Sequence, residues 1–155
     1  MLRLSFHRFA LLSFILIAAA IPAAAENAIT VEKAWSRATP TGAEVAAGYL
    51  TIVNHGDSPD RLVSVKTSVA GNTGIHQMKM AAGKMEMRPV PDGIEIPAKG
   101  TVVLEPMGYH LMLMGLKAPL QKGDTFTGSL VFEHAGAIDV TFRVEGMGAM
   151  EPNAE

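Results

Sequence analysis

Tyr109-His110-Leu111-Met112-Leu113-Met114 sets an imidazole two residues before a thioether and a second thioether two residues further on. Side chains of a strand alternate between faces, so His110, Met112 and Met114 share one face and Tyr109, Leu111 and Leu113 the other. Same-face neighbours stand about 6.5–7 Å apart at Cα, which lets an imidazole and a thioether converge on one ion. The pattern recurs upstream. His76, Met78 and Met80 share parity, and beyond Ala81-Ala82-Gly83 so do Met85 and Met87. A hairpin of these two segments lying beside 109–115 would bring His76 and one of Met78, Met80, Met85 and Met87 to His110 and Met112.

Imidazole and thioether are neutral donors, and with no thiolate the set favours Cu(I) over Zn(II) and disfavours Mg(II) or Ca(II). Methionine also fills gaps in cores, and a lone histidine on a strand is ordinarily an unremarkable polar residue. Two His-x-Met units in a chain without cysteine tilt the balance toward a soft-metal site. Seven of the ten methionines fall within 78–87 and 107–114, which composition alone does not explain.

The absence of cysteine rules out thiol catalysis, a disulfide framework and a blue-copper centre. No Ser/His/Asp or paired-carboxylate arrangement has a distinctive spacing, so the chain is not expected to be an enzyme. Arg3 and Arg8 precede an apolar run over 9–20 and then Ala23-Ala24-Ala25, the pattern of a secretory signal peptide cleaved after Ala25. The expected organisation is a signal peptide over 1–25, one domain over 26–145 and a flexible tail over 146–155. No later segment is long and apolar enough to span a membrane as a helix, which predicts a soluble exported protein. Removing the leader leaves eleven Lys and Arg against fifteen Asp and Glu, with no basic block, so nucleic acid is not an expected partner.

The elements that must position these side chains are strands. Short apolar segments recur at intervals of roughly 8–12 residues, punctuated by Gly, Pro, Asn and Asp, as in an antiparallel sandwich or barrel. Expected strands span 29–35, 45–54, 61–67, 74–80, 84–90, 93–96, 101–104, 109–115, 125–133 and 137–144. Ile138, Val140, Phe142 and Val144 alternate with polar residues, and Phe126, Leu130 and Phe132 form a second apolar face. Trp35, Tyr49 and Phe132 are assigned to the core. His55 and His134 lie in turn contexts and are weak metal candidates.

The order His76, ten residues, Met87, then His110-Leu111-Met112 resembles the copper motif of periplasmic copper chaperones of the PCu(A)C type. The likeness extends to Ala34-Trp35-Ser36-Arg37-Ala38-Thr39-Pro40, Ala46-Ala47-Gly48-Tyr49-Leu50, Asp60-Arg61-Leu62, Ile94-Glu95-Ile96-Pro97-Ala98 and Gly108 through Leu116. The resemblance implies a cupredoxin-like Greek-key β-sandwich and one Cu(I) per chain, held by His76, Met87, His110 and Met112. It also implies a periplasmic monomer that passes copper to a receiving protein, such as the copper subunit of cytochrome c oxidase or a thioredoxin-like Sco protein. The interval from Met87 to His110 is one residue longer than usual in that family, and the extra residue is assigned to Val90-Pro91-Asp92-Gly93. Met107 stands where the family pattern suggests glycine. Only Met147 and Met150, and no histidine, follow His134, so a second copper in the tail is not expected. The competing functions are copper tolerance or storage, and a metal-free assembly sandwich that uses its methionine surface for protein contact.

Overall fold

The computed structural model describes residues 28–153; the expected signal peptide lies outside them. The strands are β1 (Ile29–Arg37), β2 (Val45–Asn54), β3 (Asp60–Thr67), β4 (Ala70–Ala81), β5 (Lys84–Pro89), β6 (Ile94–Ile96), β7 (Thr101–Leu104), β8 (Tyr109–Leu116), β9 (Thr125–Phe132) and β10 (Gly136–Glu145). All ten expected strands are present and most ends agree within one or two residues. The largest difference is β4, expected from residue 74, which begins at Ala70 because the preceding residues continue its pairing with β8 through Asn72↔Met114 and Ala70↔Leu116.

The strands are hydrogen-bonded in the order β5-β4-β8-β7-β2-β1-β10-β9-β3-β6, with β8 also pairing β2. This all-β sheet folds over into a β-sandwich. Ile75, Leu50, Ile52, Leu111 and Leu113 from one half join Leu62, Val65, Leu130, Phe132 and Phe142 from the other in a single core. The Thr73 hydroxyl donates to the Val65 carbonyl and ties β4 to β3. The first and last strands lie side by side and parallel, Trp35 opposite Arg143. Trp35, Tyr49 and Phe132 are all buried, and the rings of Trp35 and Tyr49 stand 4.6 Å apart.

Two bulges shape this frame. Between Glu32 and Trp35, β1 carries one residue more than β2, with Lys33 in the left-handed region at φ 51°. β3 similarly bulges at Val63 against β9. The Val90–Gly93 segment is a turn in which the Gly93 N–H donates to the Val90 carbonyl at 3.1 Å. Gly93 has φ 73°, and a Cβ there would lie 2.2 Å from the Leu62 carbonyl oxygen, so only glycine fits. The additional residue of the 88–109 interval can be accommodated at this turn without disturbing β5 or β8.

Asp60 is buried at the start of β3. Its carboxylate accepts from the backbone N–H groups of Arg61 (2.7 Å), His134 (2.9 Å) and Ala135 (2.9 Å), fixing the start of β3 to the β9–β10 turn. Burial alone would raise its pKa, but the three N–H donors together hold it below the usual aspartate value.

Residues 146–153, read from the sequence as a flexible tail, make specific contacts. The Arg37 guanidinium donates to the Ala149 carbonyl at 2.6 Å and to the Met150 sulfur at 3.0 Å, and Asn153 donates to Glu145.

Candidate metal centre

The upstream segments form the hairpin β4–β5, and β4 lies beside β8, the arrangement supposed above for the two His-x-Met units. Directly opposed residues in a sheet project to the same face. Across β8, β4 and β5 the shared face is laid out in rows: Met114 opposite Asn72, Met112 opposite Gly74, His110 opposite His76, Met78 opposite Met87, and Met80 opposite Met85. The alternate face of β8 and β4 carries Leu111, Leu113 and Ile75 into the core, and this burial fixes the register.

His76 and His110 are therefore brought together, with ring centroids 6.1 Å apart and planes inclined at 60°. An imidazole nitrogen stands about 2.0–2.1 Å from a bound ion and roughly 1.1 Å from its ring centre, so two rings sharing an ion have centroids no more than about 6.4 Å apart. The observed separation is compatible with a shared ion. Met112 and Met87 stand one row to either side of the histidine pair, Met112 half-buried and Met87 exposed.

His110 is buried, and its Nδ1 lies 3.2 Å from the Gly108 carbonyl oxygen. A carbonyl only accepts, so Nδ1 carries the proton and Nε2 keeps its lone pair. Burial lowers the pKa of His110; the Gly108 contact partly opposes this, and the neighbouring His76 adds to the depression. The neutral, ligand-competent form is favoured. His76 has a different anomaly: its Nδ1 is buried and has no hydrogen-bond partner among the described residues. A buried polar atom left in this way costs about 1–3 kcal/mol, which bonding to an ion would offset.

Gly74 leaves open the position opposite Met112. The place where its Cβ would stand is 3.7 Å from Met114 Cε and 3.9 Å from His76 Nε2, so the end of Met114 turns into the space beside the imidazole. Gly74 and the Gly108 carbonyl were not singled out from the sequence. A glycine inside a strand is the signal that could have drawn attention to the first, since it often marks a close approach; nothing local marks the second. Met107 sits in the turn leading into β8, exposed and at φ 73°, a backbone conformation natural to glycine. The adjoining Gly108 carbonyl accepts from the Met78 N–H at 3.0 Å, which docks this turn against β4.

His55 bonds Thr30 at 3.0 Å and His134 is exposed beside Asp60; neither lies on β4, β5 or β8. Among the described residues, no three His, Cys, Asp or Glu side chains gather as a metal site. Any centre on this face therefore depends on thioethers, and its donors are soft and uncharged.

An all-β sandwich with paired histidines among methionines on one face defines the class. Residues 29–144 match the LpqE-like lipoprotein family, and the chain belongs to it. A lipoprotein of Leifsonia xyli subsp. xyli, Lxx21020, is 31% identical over 132 residues, covering 85% of this chain and 78% of that protein. Among solved structures, the copper-bound PCuAC domain of PmoF2 is similar at TM-score 0.65 and 31% identity, covering 77% of this chain and 93% of that one. The Cu(I) form of DR1885 from Deinococcus radiodurans is similar at TM-score 0.60 and 33% identity, covering 74% of this chain and 76% of that one.

Proposed function

We propose that the protein is an exported copper chaperone that binds one Cu(I) through His76, Met87, His110 and Met112 and delivers it to another protein. The observation that carries this reading is the direct opposition of His76 and His110, at a separation two ligands of one ion can have, on a face otherwise supplied with thioethers. The unpartnered Nδ1 of His76 and the suppressed basicity of His110 add to it. Similarity to the copper-bound PCuAC domain of PmoF2 and to the Cu(I) form of DR1885 supports the choice of metal.

Delivery requires that the donors be replaceable. Met87 lies on the outermost strand and is solvent-exposed, so a partner's ligand can displace its thioether while the histidines still hold the ion. Cu(I) has a filled d shell and imposes little geometric barrier on such exchange. The role is transfer without turnover of a substrate. The recipient suggested by the resemblance is the copper subunit of cytochrome c oxidase or a Sco-like protein. The sequence resemblance and the signal-peptide pattern support a periplasmic location. Although the family is described as lipoproteins, these 155 residues contain no cysteine to acylate.

The test is anaerobic Cu(I) binding against a competing chelator, in wild type, His110→Ala and Met112→Ala. Tight one-to-one binding weakened in both variants is expected. Binding that is absent, or indifferent to both changes, sinks the proposal.

A further inference from the structure

The β4–β5 hairpin has two unlike faces. One carries the opposed pairs Gln77↔Arg88 and Lys79↔Glu86, with Arg88 also bonded to Glu86 at 2.7 Å. The other carries Met78↔Met87 and Met80↔Met85, and continues without interruption into the face of His76 and His110. Core filling does not account for these methionines, because Met80 is 61% exposed, Met85 37% and Met87 51%. Opposed residues of antiparallel strands have Cβ atoms about 4.5–5.5 Å apart, a gap that two methionine side chains can close around one ion. Successive rows are about 7 Å apart, so the thioethers form a stepped series from the hairpin tip to the imidazoles.

We propose that Met80 and Met85 form an outer site for a second Cu(I), from which the ion passes by way of Met78 and Met87 to the histidine pair. The inference rests on the Cu(I) reading of the inner site. Each step forms one Cu–S or Cu–N bond as one Cu–S bond breaks; copper stays Cu(I), and no electron or proton is transferred. A protein-docking patch would use the same exposed side chains but would have no need of sulfur.

That difference gives the test. The full chain without its leader, with its methionine methyl groups labelled with carbon-13, is titrated anaerobically with Cu(I) and followed by NMR. The comparison is Met80→Leu/Met85→Leu, which preserves size and apolar character at two exposed positions. Wild type is expected to take one tight equivalent at the inner site and then a second, weaker one that a strong competing chelator would withhold, the second shifting the Met80 and Met85 methyls. The double variant is expected to take one, with inner-site affinity unchanged and slower loading from a Cu(I)–chelator complex. A single equivalent in wild type, two in the double variant, or Met80 and Met85 signals unmoved by the second equivalent overturns the outer site and leaves the inner one standing. Absence of tight binding, with the Met112 methyl also unmoved, overturns both.

Discussion

Replacing His76 with leucine should make the copper-free protein more stable while removing its response to copper. His76 Nδ1 is buried and has no partner among the described residues, so the folded apo state carries the desolvation of a polar atom without a compensating bond. Leucine removes that atom at similar side-chain volume, and the expected gain is about 1–3 kcal/mol. With a urea dependence of about 2 kcal/mol per M, the unfolding midpoint should rise by roughly 0.5–1.5 M. Copper acts in the opposite sense. An ion that binds only the folded state adds about 2.7 kcal/mol when its free concentration is a hundred times Kd, and wild type should show this shift while His76→Leu loses most of it. The assay is urea unfolding of both proteins, each with a Cu(I) chelator and with buffered Cu(I). An apo variant no more stable than wild type would refute the argument from the unpartnered nitrogen. A retained copper shift would refute His76 as a ligand.

Burial keeps His110 less basic in the folded chain than in the unfolded one. As pH falls below the ordinary histidine value, the unfolded state takes up more protons, so stability declines until the folded pKa is passed. Urea midpoints of apo wild type should therefore fall as pH drops below about 6.5, with a flatter profile in His110→Gln. Met107→Gly relieves a left-handed backbone at a non-glycine residue and should stabilise the apo protein by about 0.5–1 kcal/mol in thermal unfolding. Asp60→Ala strands three backbone donors and should cost about 2–4 kcal/mol in urea unfolding, with little effect on Cu(I) affinity in the molecules that remain folded.

The ten strands were legible because glycine, proline, asparagine and aspartate punctuate nearly every boundary, and because alternation in β10 and β8 separates a core face from an open one. Asn72 escaped because its side chain favours turns locally, whereas pairing with Met114 is a tertiary gain that no local pattern announces. The bulge at Lys33 was equally hidden, since lysine gives no sign of a positive φ. At the site, parity sufficed to put the histidines and methionines on common faces. Which residues oppose one another depends on the register of β4 against β8, and that is set by Ile75, Leu111 and Leu113 entering the core rather than by the polar residues themselves. Met114 and Gly74 could not be ranked from sequence for the same reason: Gly74 opposes Met112, and the end of Met114 reaches the space beside His76 from the neighbouring strand.

β5 is the least secured strand of the sandwich. It pairs with β4 alone, all six of its residues are exposed, and it holds no part of the core. Its amides should exchange with solvent through small openings that leave β4 and β8 shut, whereas amides beside Leu111 and Leu113 should wait for opening of much of the domain. With Met87 as a ligand, a bound ion would clamp this loose edge to the interior, and fraying of the edge would free one donor at a time. Protection of β5 amides would then report occupancy, and the grip on the ion could be relaxed by local melting without disturbing the scaffold that holds the histidines.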